Sequence, residues 1–426
     1  MDVGKNYEVK NLKLAEQGKM NISLAERRMG IMQILKKRFA KELPFRNLVI
    51  GMALHVTKET AVLVRTLGAG GAKISITSCN PLSTQDDVAA ALAEEGIEKG
   101  ISIYAYKGET KEDYYRYLEK VIESKPQLTI DDGADLVTLL HTKHKKLIPR
   151  LFGGSEETTT GVIRLRAMEK DNALKYPIIA VNDNKTKHLL DNYYGTGQST
   201  LDGILRATNV LIAGKKFVVA GYGPCGKGVA SRARGMGANV IVTEVDAFRA
   251  LQAVLDGFEV LPMNEAAKLG DIFVTVTGDK NVITPEHMKS MKNNAILANS
   301  GHFDVEIDVV GLNRLAKSKR VRWQLDEYKF RKNKKKKIYL CGEGRLVNLA
   351  AAEGHPSEVM ATSFAGQALA MEFIVKNKGA LPNKVISLPE EIDNEIARLQ
   401  LDSMGVKIDS LSEEQKRYLS SWKEGT

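Results

Sequence analysis

The stretch that most constrains this chain is KFVVAGYGPCGKGVASRARGMGANVIVTE, residues 216–244. Its first apolar run, Phe217–Ala220, ends in the glycine-rich turn 221–226. A helix-compatible segment follows, and a second apolar run stops at Glu244. Such glycines let backbone N–H groups approach a pyrophosphate, and the helix N-terminus adds its positive dipole. A carboxylate at Glu244 can accept from both ribose hydroxyls and repels a 2′-phosphate, so the pattern predicts an NAD site. The alternative is an ordinary βα turn that contains glycines.

The first half of the chain repeats a second pattern, in which an apolar run is followed by polar residues and then by a helical segment. The runs are Leu48–Leu54, Lys73–Thr77, Ile101–Tyr106, Leu128–Ile130 and Pro177–Val181. Strands that alternate with helices predict a mostly parallel, doubly wound sheet. His55, Ser83, Asp132 and Asn182 follow the predicted strands, at the sheet edge where ligands bind. The sequence therefore predicts a second ligand site.

The remaining segments are predicted from their hydrophobic periodicity. Residues 1–44 are predicted to form amphipathic helix ending near Pro44, and residues 192–200, which have little periodicity, to form a hinge or linker. Further elements are predicted as strands at Ile272–Gly278 and Ala295–Gly301, a long packed helix over Glu358–Lys376, and a last helix opened by a capping box of Ser412 and Gln415.

Composition excludes several classes of protein. The chain has 426 residues, of which 43% are hydrophobic, as expected for two or three globular domains. No apolar run approaches the roughly 18 residues that span a membrane, and the N-terminus lacks a signal-peptide core. The three cysteines form no CxxC pair, so neither a disulfide framework nor a metal site is predicted. We therefore expect a cytoplasmic protein without a membrane partner.

The net charge of +10 raises the question of nucleic-acid binding. The densest basic block, RKNKKKK at residues 331–337, lies between two strand-like segments. Aromatic residues are not interleaved with it, and no recognition helix or RNA-binding signature lies nearby. We therefore interpret the block as a solvated hairpin tip and predict no nucleic-acid partner.

Eight ordered motifs resemble those of the S-adenosylhomocysteine hydrolase family between Leu48 and Met360. They are HVTKETA (55–61), NPLSTQDD (80–87), DDGADL (131–136), EETTTG (156–161), VND..TKHLLDN (181–192), GYGPCGKG (221–228), GHFDVEID (301–308) and GRLVNLAAAEGHPSEVM (344–360). The resemblance implies tightly held NAD⁺ that oxidises the ribose 3′-hydroxyl and so acidifies the C4′ hydrogen. Elimination of homocysteine, addition of water and reduction of the ketone then give adenosine without net redox change.

The resemblance also implies catalytic roles. Lys187 and Asp191 would act at the 3′-hydroxyl, and their i, i+4 spacing predicts that ammonium and carboxylate touch. A desolvated lysine can fall toward a neutral pKa and serve as a base. Asp132 would lie near C4′ and C5′, with His55 beside it for proton transfer to the leaving thiolate or from the incoming water. His302 would act at the boundary of cofactor and substrate.

Binding residues carried over from the family motifs form two sets. The substrate set is Thr57, Glu59, Thr60, Ser83, Glu157, His355 and Met360. The cofactor set is Thr158, Thr159, Thr160, Asn192, Gly221, Gly223, Cys225, Gly226, Glu244, Arg249, Ser300, Gly301, His302, Asn348 and His355. Two alternatives remain: the threonine run could serve only as a helix N-cap, and Arg249 could contact the adenosine half of the cofactor or simply cover it.

The chain departs from the family pattern at several positions. Its end lacks the Lys-Tyr-rich tail of many members, so it resembles the shorter archaeal and thermophilic branch. A homotetramer is implied by the resemblance. Thr196 replaces a cysteine of many relatives, and Glu353 stands where others have methionine near the purine. An ionised Glu59 only accepts hydrogen bonds, which favours a 6-amino purine over the 6-oxo purine of the inosyl substrate.

The sequence thus predicts an α/β protein with two doubly wound parallel-sheet domains and a C-terminal helical extension. The expected boundaries are a substrate-binding domain over 1–191, a Rossmann NAD-binding domain over 192–346, a return to the substrate domain over 347–400 and a helical tail over 401–426. The competing functions are the same chemistry on S-inosyl-L-homocysteine, an ordinary NAD dehydrogenase, and a regulator that binds NAD without catalysis.

Overall fold

A computed structural model describes residues 6–423. These residues contain sixteen strands: β1 Tyr7–Val9, β2 Val49–Ala53, β3 Lys73–Thr77, β4 Ile101–Ala105, β5 Leu128–Asp131, β6 Gly153–Glu156, β7 Ile178–Ala180, β8 Lys216–Ala220, β9 Asn239–Thr243, β10 Glu259–Val260, β11 Ile272–Thr275, β12 Ala295–Asn299, β13 Ala316–Arg322, β14 Leu325–Phe330, β15 Lys337–Cys341 and β16 Val385–Ile386.

The α-helices of the same residues are α1 Ala15–Arg28, α2 Gly30–Glu42, α3 Lys58–Ala69, α4 Asp86–Lys99, α5 Lys111–Glu123, α6 Asp135–Thr142, α7 Thr159–Lys170, α8 Lys185–His188, α9 Thr196–Thr208, α10 Pro224–Gly235, α11 Ala247–Leu255, α12 Met263–Leu269, α13 Pro285–Ser290, α14 Val309–Leu315, α15 Val347–Ala350, α16 Ser357–Lys376, α17 Glu390–Ser403 and α18 Glu413–Leu419. A π-helical turn, Asp191–Gly195, joins α8 to α9. None of the described helices is long and apolar enough to cross a membrane.

Two eight-stranded sheets organise the chain, as the alternating pattern predicted. The first has the order β1-β4-β3-β2-β5-β6-β7-β16, and every strand pair in it is parallel. Strands β2 and β5 are buried along almost their whole length, because apolar clusters pack on both faces of the sheet. Parallel sheets with helices on both faces need such continuous apolar strands.

The second sheet has the order β10-β9-β8-β11-β12-β15-β14-β13. Its first six strands are parallel, and β14 and β13 continue it in antiparallel register. The basic block connects β14 to β15, and residues 331–335 in it are exposed. The prediction of a solvated hairpin tip is therefore confirmed.

Three sequence predictions were wrong or incomplete. The segment 1–44 contains the edge strand β1, which pairs with β4, before its helices begin. Strand β6, Gly153–Glu156, was missed because two of its four residues are glycines, which carry little strand signal. The predicted linker 192–200 is helical, formed by the π turn and the first residues of α9. Asn192 and Thr196 line the active-site cavity, and Ser199 and Thr200 are buried although polar, so the segment shows no simple apolar period.

The chain returns to the first sheet after crossing the second. Helix α16 covers the predicted long helix, β16 pairs with β7, and α18 begins at the predicted capping box of Ser412 and Gln415. Asp393 of α17 accepts hydrogen bonds from the backbone N–H groups of Lys185 at 2.6 Å and Thr186 at 3.2 Å. It also accepts from the Thr186 hydroxyl. The returning helix thereby caps α8.

Replacing Asp393 with Ala should destabilise the protein, since it leaves two backbone donors and one hydroxyl without a partner in a site where Asp393 is 7% exposed. We expect a loss of about 1–3 kcal/mol, measured as a lower midpoint of urea unfolding. Asp402→Ala is the matched control, because Asp402 lies on the same helix and is exposed. Equal midpoints for the two variants would contradict the capping role.

Candidate active site

The site is a cavity of about 630 Å³ between the carboxyl edges of the two sheets. The first sheet contributes residues that follow β2, β5, β6 and β7, and the second contributes the turn after β8 and the loop after β12. Because parallel strands end at one edge, side chains far apart in sequence meet there. Almost every residue of the two predicted binding sets and all five predicted catalytic residues line this cavity.

Two predicted residues, Ser83 and Gly226, do not line the cavity. Ser83 lies behind the wall, where its hydroxyl is 2.8 Å from His55 Nδ1. Gly226 shapes the glycine turn from within the first turn of α10, since a Cβ there would lie 2.0 Å from the carbonyl oxygen of Gly221. Ser83 therefore contacts a cavity residue, His55, and Gly226 packs against another, Gly221.

Asp132 is the centre of a buried acid and histidine cluster. His55 Nε2 lies 3.3 Å from Asp132 Oδ2, and His302 Nδ1 lies 3.5 Å from Asp132 Oδ1. Burial lowers the pKa of His55 to about 4, although Asp132 opposes this change. Burial would raise the pKa of Asp132, but the histidines and Lys187 hold it below its usual value. At neutral pH the cluster is a carboxylate beside a neutral His55.

His302 comes from the second sheet and therefore joins the two sheets at the cluster. A Cβ on Gly133 would lie 2.3 Å from His302 Nε2, so only glycine permits this approach. Donor atoms of His55, Asp132 and His302 lie within 4.8 Å of one another, and within residues 6–423 this is the group with the spacing of metal ligands. The sequence predicted no metal site, and in the structure His55 and His302 both contact Asp132.

Cys79 belongs to the same cluster and was missed in the sequence. Its Sγ lies 3.2 Å from His55 Nδ1 and 3.4 Å from Asp132 Oδ2. Burial, followed by the charge of Asp132, raises the pKa of the Cys79 thiol well above its usual value. The side chain is therefore a neutral thiol that donates to Asp132 and contacts His55. Its position one residue before the motif NPLSTQDD was the available signal.

Lys187 is the centre of a second cluster. Its Nζ lies 3.4 Å from Asp191 Oδ2 and 3.9 Å from Glu157 Oε1, and it donates to Asn192 Oδ1 at 2.8 Å. The predicted contact of Lys187 with Asp191 is present. The predicted fall in its pKa was wrong: burial acts to lower the pKa of Lys187, but Asp191 and Glu157 outweigh burial and raise it. The free protein therefore holds a buried ammonium.

Glu157 and Asp191 are held differently. Ser363 and Gln367 of α16 donate to the two oxygens of Glu157, and burial raises its pKa to about 7 although Lys187 opposes the rise. For Asp191, burial is outweighed by Lys187 and His355, which hold its pKa far below its usual value. His355 Nδ1 lies 2.5 Å from Asp191 Oδ1. Ser363 and Gln367 were missed because they follow the last recognised motif.

The glycine turn fits a dinucleotide. Gly221 has φ +106°, and Gly223 precedes α10 with open space where a Cβ would lie, since its nearest neighbour is Arg249 Nη1 at 3.6 Å. Glu244 follows β9 and accepts from the backbone N–H groups of Tyr222 at 2.7 Å and Val245 at 2.7 Å. These bonds fix a carboxylate beside the turn, where an adenosine ribose needs an acceptor.

The comparisons with known proteins agree with this geometry. Residues 6–149 match the family model described as S-adenosyl-L-homocysteine hydrolase, and residues 192–354 match the model of that family's NAD binding domain. An S-inosyl-L-homocysteine hydrolase from Methanocaldococcus jannaschii is 58% identical over 99% of this chain and 100% of its own. Adenosylhomocysteinases from Saccharolobus solfataricus and Aquifex aeolicus are 57% and 58% identical over 99% of this chain and 100% of theirs.

The chain belongs to the S-adenosyl-L-homocysteine hydrolase family. This confirms the resemblance seen in the eight motifs, including the archaeal and thermophilic relatives. Since residues 192–354 match the NAD binding domain of the family, the dinucleotide that the glycine turn predicted is NAD. The protein is thus an NAD-binding member of an enzyme family.

Two threonines of the run, Thr158 and Thr159, are held by side-chain hydrogen bonds, and the Thr158 side chain makes no capping bond to its helix. The Thr158 hydroxyl donates to Glu156 Oε1 at 3.1 Å, and the Thr159 hydroxyl donates to Asn182 Oδ1 at 3.2 Å. All three threonines of the run line the cavity. On the opposite wall, Asn348 Oδ1 is buried without a hydrogen-bond partner among the described residues, as expected of a group that awaits a ligand.

Glu156 is a buried acid that the sequence analysis did not single out. It is the register partner of Asp131 in the neighbouring strand, and both residues are 0% exposed. Its Oε1 accepts from the backbone N–H groups of Gly133 at 2.8 Å and Thr158 at 3.0 Å. One carboxyl oxygen therefore ties the Asp132 loop to the threonine run. Burial, together with the charges of Asp131 and Asp132, raises the pKa of Glu156 well above its usual value.

This raised pKa predicts a pH-dependent stability difference between Glu156→Gln and the unchanged protein. Above the ordinary glutamate pKa the unfolded chain loses a proton that the folded chain keeps, so folding stability falls by up to about 1.4 kcal/mol per pH unit. Glutamine does not titrate. We expect the thermal midpoint of the variant to rise relative to the unchanged protein between about pH 5 and pH 8.

The control is Glu265→Gln, since Glu265 is exposed, and its midpoint should run parallel to that of the unchanged protein. A difference that stays constant with pH for Glu156→Gln would mean that Glu156 is ionised in the folded state.

Proposed function

We propose that the chain catalyses the reversible hydrolysis of S-adenosyl-L-homocysteine to adenosine and L-homocysteine. The observation that carries this proposal is the meeting of two clusters in one cavity with the glycine turn. The Lys187 cluster suits a ribose hydroxyl, and the Asp132 cluster suits proton transfer at a neighbouring carbon. A simple hydroxy-acid dehydrogenase needs only one of these clusters.

The first cluster would prepare the ribose for oxidation. NAD⁺, when bound, supplies the hydride acceptor for the 3′ carbon. Asn192 and Asp191 hold the Lys187 ammonium, and Lys187 would orient the 3′ oxygen as a donor. It would then pass one of its own protons to Asp191 Oδ2, which lies 3.4 Å from Nζ, and so become able to accept the hydroxyl proton. Glu157, which Ser363 and Gln367 orient, would accept from the ribose hydroxyls and set the distance to Lys187.

The second cluster would move the C4′ proton. Asp132 is an ionised acceptor, and His55 Nε2 lies 3.3 Å from it. Asp132 would take the proton from C4′ as the C5′–S bond breaks and a C4′–C5′ double bond forms. The proton would pass through His55 to the leaving thiolate. In the second half, His55 would receive a proton from the water that attacks C5′, and Asp132 would return one to C4′.

The purine is proposed to be adenine. Glu59 is 1% exposed, lines the cavity and is fixed by a hydrogen bond of 2.6 Å from the Ser357 hydroxyl. As a carboxylate it accepts from a 6-amino group and repels a 6-oxo group. Thr57 and Met360 line the same end of the cavity. Relatives named for either substrate are about equally similar to this chain, so overall identity does not decide the purine.

We further propose the domain boundaries 1–191, 192–346, 347–400 and 401–426, with a homotetramer in the cytoplasm as the working state. The tail supports contact with other copies, because its apolar side chains are exposed: Met404 is 63%, Ile408 68% and Trp422 90% exposed. His355, which touches both Asp191 and Thr196, would act as the gate between the domains.

The first experiment measures thiol release from S-adenosyl-L-homocysteine and from its inosyl analogue while NADH absorbance is followed. We expect thiol from the adenosyl compound and no accumulation of NADH, because the internal cofactor is regenerated in each turnover. NADH accumulation would favour an ordinary dehydrogenase. Binding of NAD without thiol from either compound would favour the non-catalytic regulator, and release only from the inosyl compound would overturn the purine assignment.

Lys187→Ala should lower thiol release at least about 100-fold, as loss of a general acid–base group does. NAD content and the circular dichroism spectrum should stay unchanged. Lys185→Ala is the control, because the Lys185 side chain lies on the same helix, is 66% exposed and pairs with Glu390. Turnover within about threefold of the unchanged protein for Lys187→Ala would refute its role.

A further inference from the structure

Two carboxylates and one ammonium meet at the purine end of the cavity. Glu59 and Glu353 both line the cavity, and Lys58 stands between them without lining it. Lys58 Nζ lies 3.1 Å from Glu353 Oε2 and 3.5 Å from Glu59 Oε1. The nearer and better hydrogen-bonded partner of the ammonium is thus Glu353, at the rim, rather than Glu59.

Two further residues, Arg206 and Gln85, contact Glu353. Arg206 of α9 contacts its Oε1 at 3.3 Å, and the Gln85 side chain donates to its backbone oxygen at 3.3 Å. The charges of Lys58 and Arg206 keep the pKa of Glu353 below its usual value. An ionised Glu353 in a fixed place is therefore a tether for the flexible lysine side chain.

We propose that Glu353 determines purine specificity by holding Lys58 away from the purine, which leaves Glu59 as the group that reads the 6-position. This inference rests on the proposed function and adds a residue to it. Glu59 alone presents acceptors, and these suit the 6-amino group. Glu59 together with an untethered Lys58 would present an acceptor and a donor side by side.

That second arrangement suits a 6-oxo purine when the Lys58 ammonium faces the 6-position and the Glu59 carboxylate faces N1. Such a purine donates from N1–H and accepts at O6, so Glu59 would take the first bond and Lys58 would supply the second. The 6-amino purine has the reverse pattern at the same two atoms, and an ammonium pointing at its amino group would leave two donors facing each other. The place of Lys58 thus reverses the preference, and the Glu59 carboxylate accepts from the 6-amino group in one purine and from the adjacent N1–H in the other.

The test compares kcat/KM for the adenosyl and inosyl substrates in Glu353→Gln, which keeps the side-chain size and removes the charge that tethers Lys58. We expect the ratio of adenosyl to inosyl kcat/KM to fall at least about tenfold, the effect of one hydrogen bond gained by one substrate and lost by the other. Adding Lys58→Met to this variant should return the ratio to that of the unchanged protein, since the donor is then absent.

Arg206→Gln is the matched control. It removes the other ionic partner of Glu353 and leaves the 3.1 Å contact of Lys58 with Glu353 in place, so the ratio should stay unchanged. A general loss of stability or closure would lower both kcat/KM values together and leave the ratio unchanged. The inference is overturned by an unchanged ratio in Glu353→Gln, by an equal fall in Arg206→Gln, or by a fall that survives Lys58→Met. Failure of the proposed function is distinct, because then the unchanged protein releases no thiol from the adenosyl substrate.

Discussion

Lys187 carries a positive charge into a place where the residue is 3% exposed, and much of the site is arranged around that charge. A buried ion costs several kcal/mol unless it is paired and hydrogen-bonded. Asp191, Glu157 and Asn192 satisfy the ammonium, and these acids in turn need donors. His355 serves Asp191, while Ser363 and Gln367 serve Glu157. One buried charge therefore connects the first sheet, the π turn and α16.

The two sheets meet because each presents its carboxyl edge to the other. His302 is delivered by the loop after β12, and Asn299 at the end of that strand fixes the loop through bonds to the backbone oxygens of Gly301 and Phe303. On the other side, Gly133 admits the imidazole. The Asp132 cluster therefore contains residues of both sheets, and it is complete only where the two sheets meet.

The carboxyl groups of this region have different pKa values because their surroundings differ. Asp132 lies beside two histidines and a lysine, and its pKa is low. Glu157 has one lysine and two neutral donors, and its pKa is about 7. Glu156 and Asp131 are neighbours in adjacent strands with only backbone N–H groups and the Thr158 hydroxyl as donors, so burial and nearby carboxylates raise their pKa values. Residues of one chemical class thus differ in charge state within one site.

The sequence predicted most of the fold and of the cavity lining because both follow local rules. Apolar runs such as Lys73–Thr77 form strands where predicted, and the motif positions of Glu244 and Asp132 place them at strand ends. It did not predict strand β6, whose glycines carry no pattern, or the helical state of residues 192–200, in which the polar residues Asn192 and Thr196 line the cavity. Cys79, Glu156, Ser363 and Gln367 were missed because their roles depend on neighbours from other elements.

By itself, then, the sequence determined the class of fold, the NAD-binding turn and the family, since these depend on residue order and spacing. Only the tertiary structure decided the charge state of Lys187 and the tethering of Lys58 by Glu353. The physical reason is that a pKa or an ion pair depends on the balance between burial and nearby charges. Those charges come from residues such as Glu157 and Arg206, and the chain brings them together only by folding.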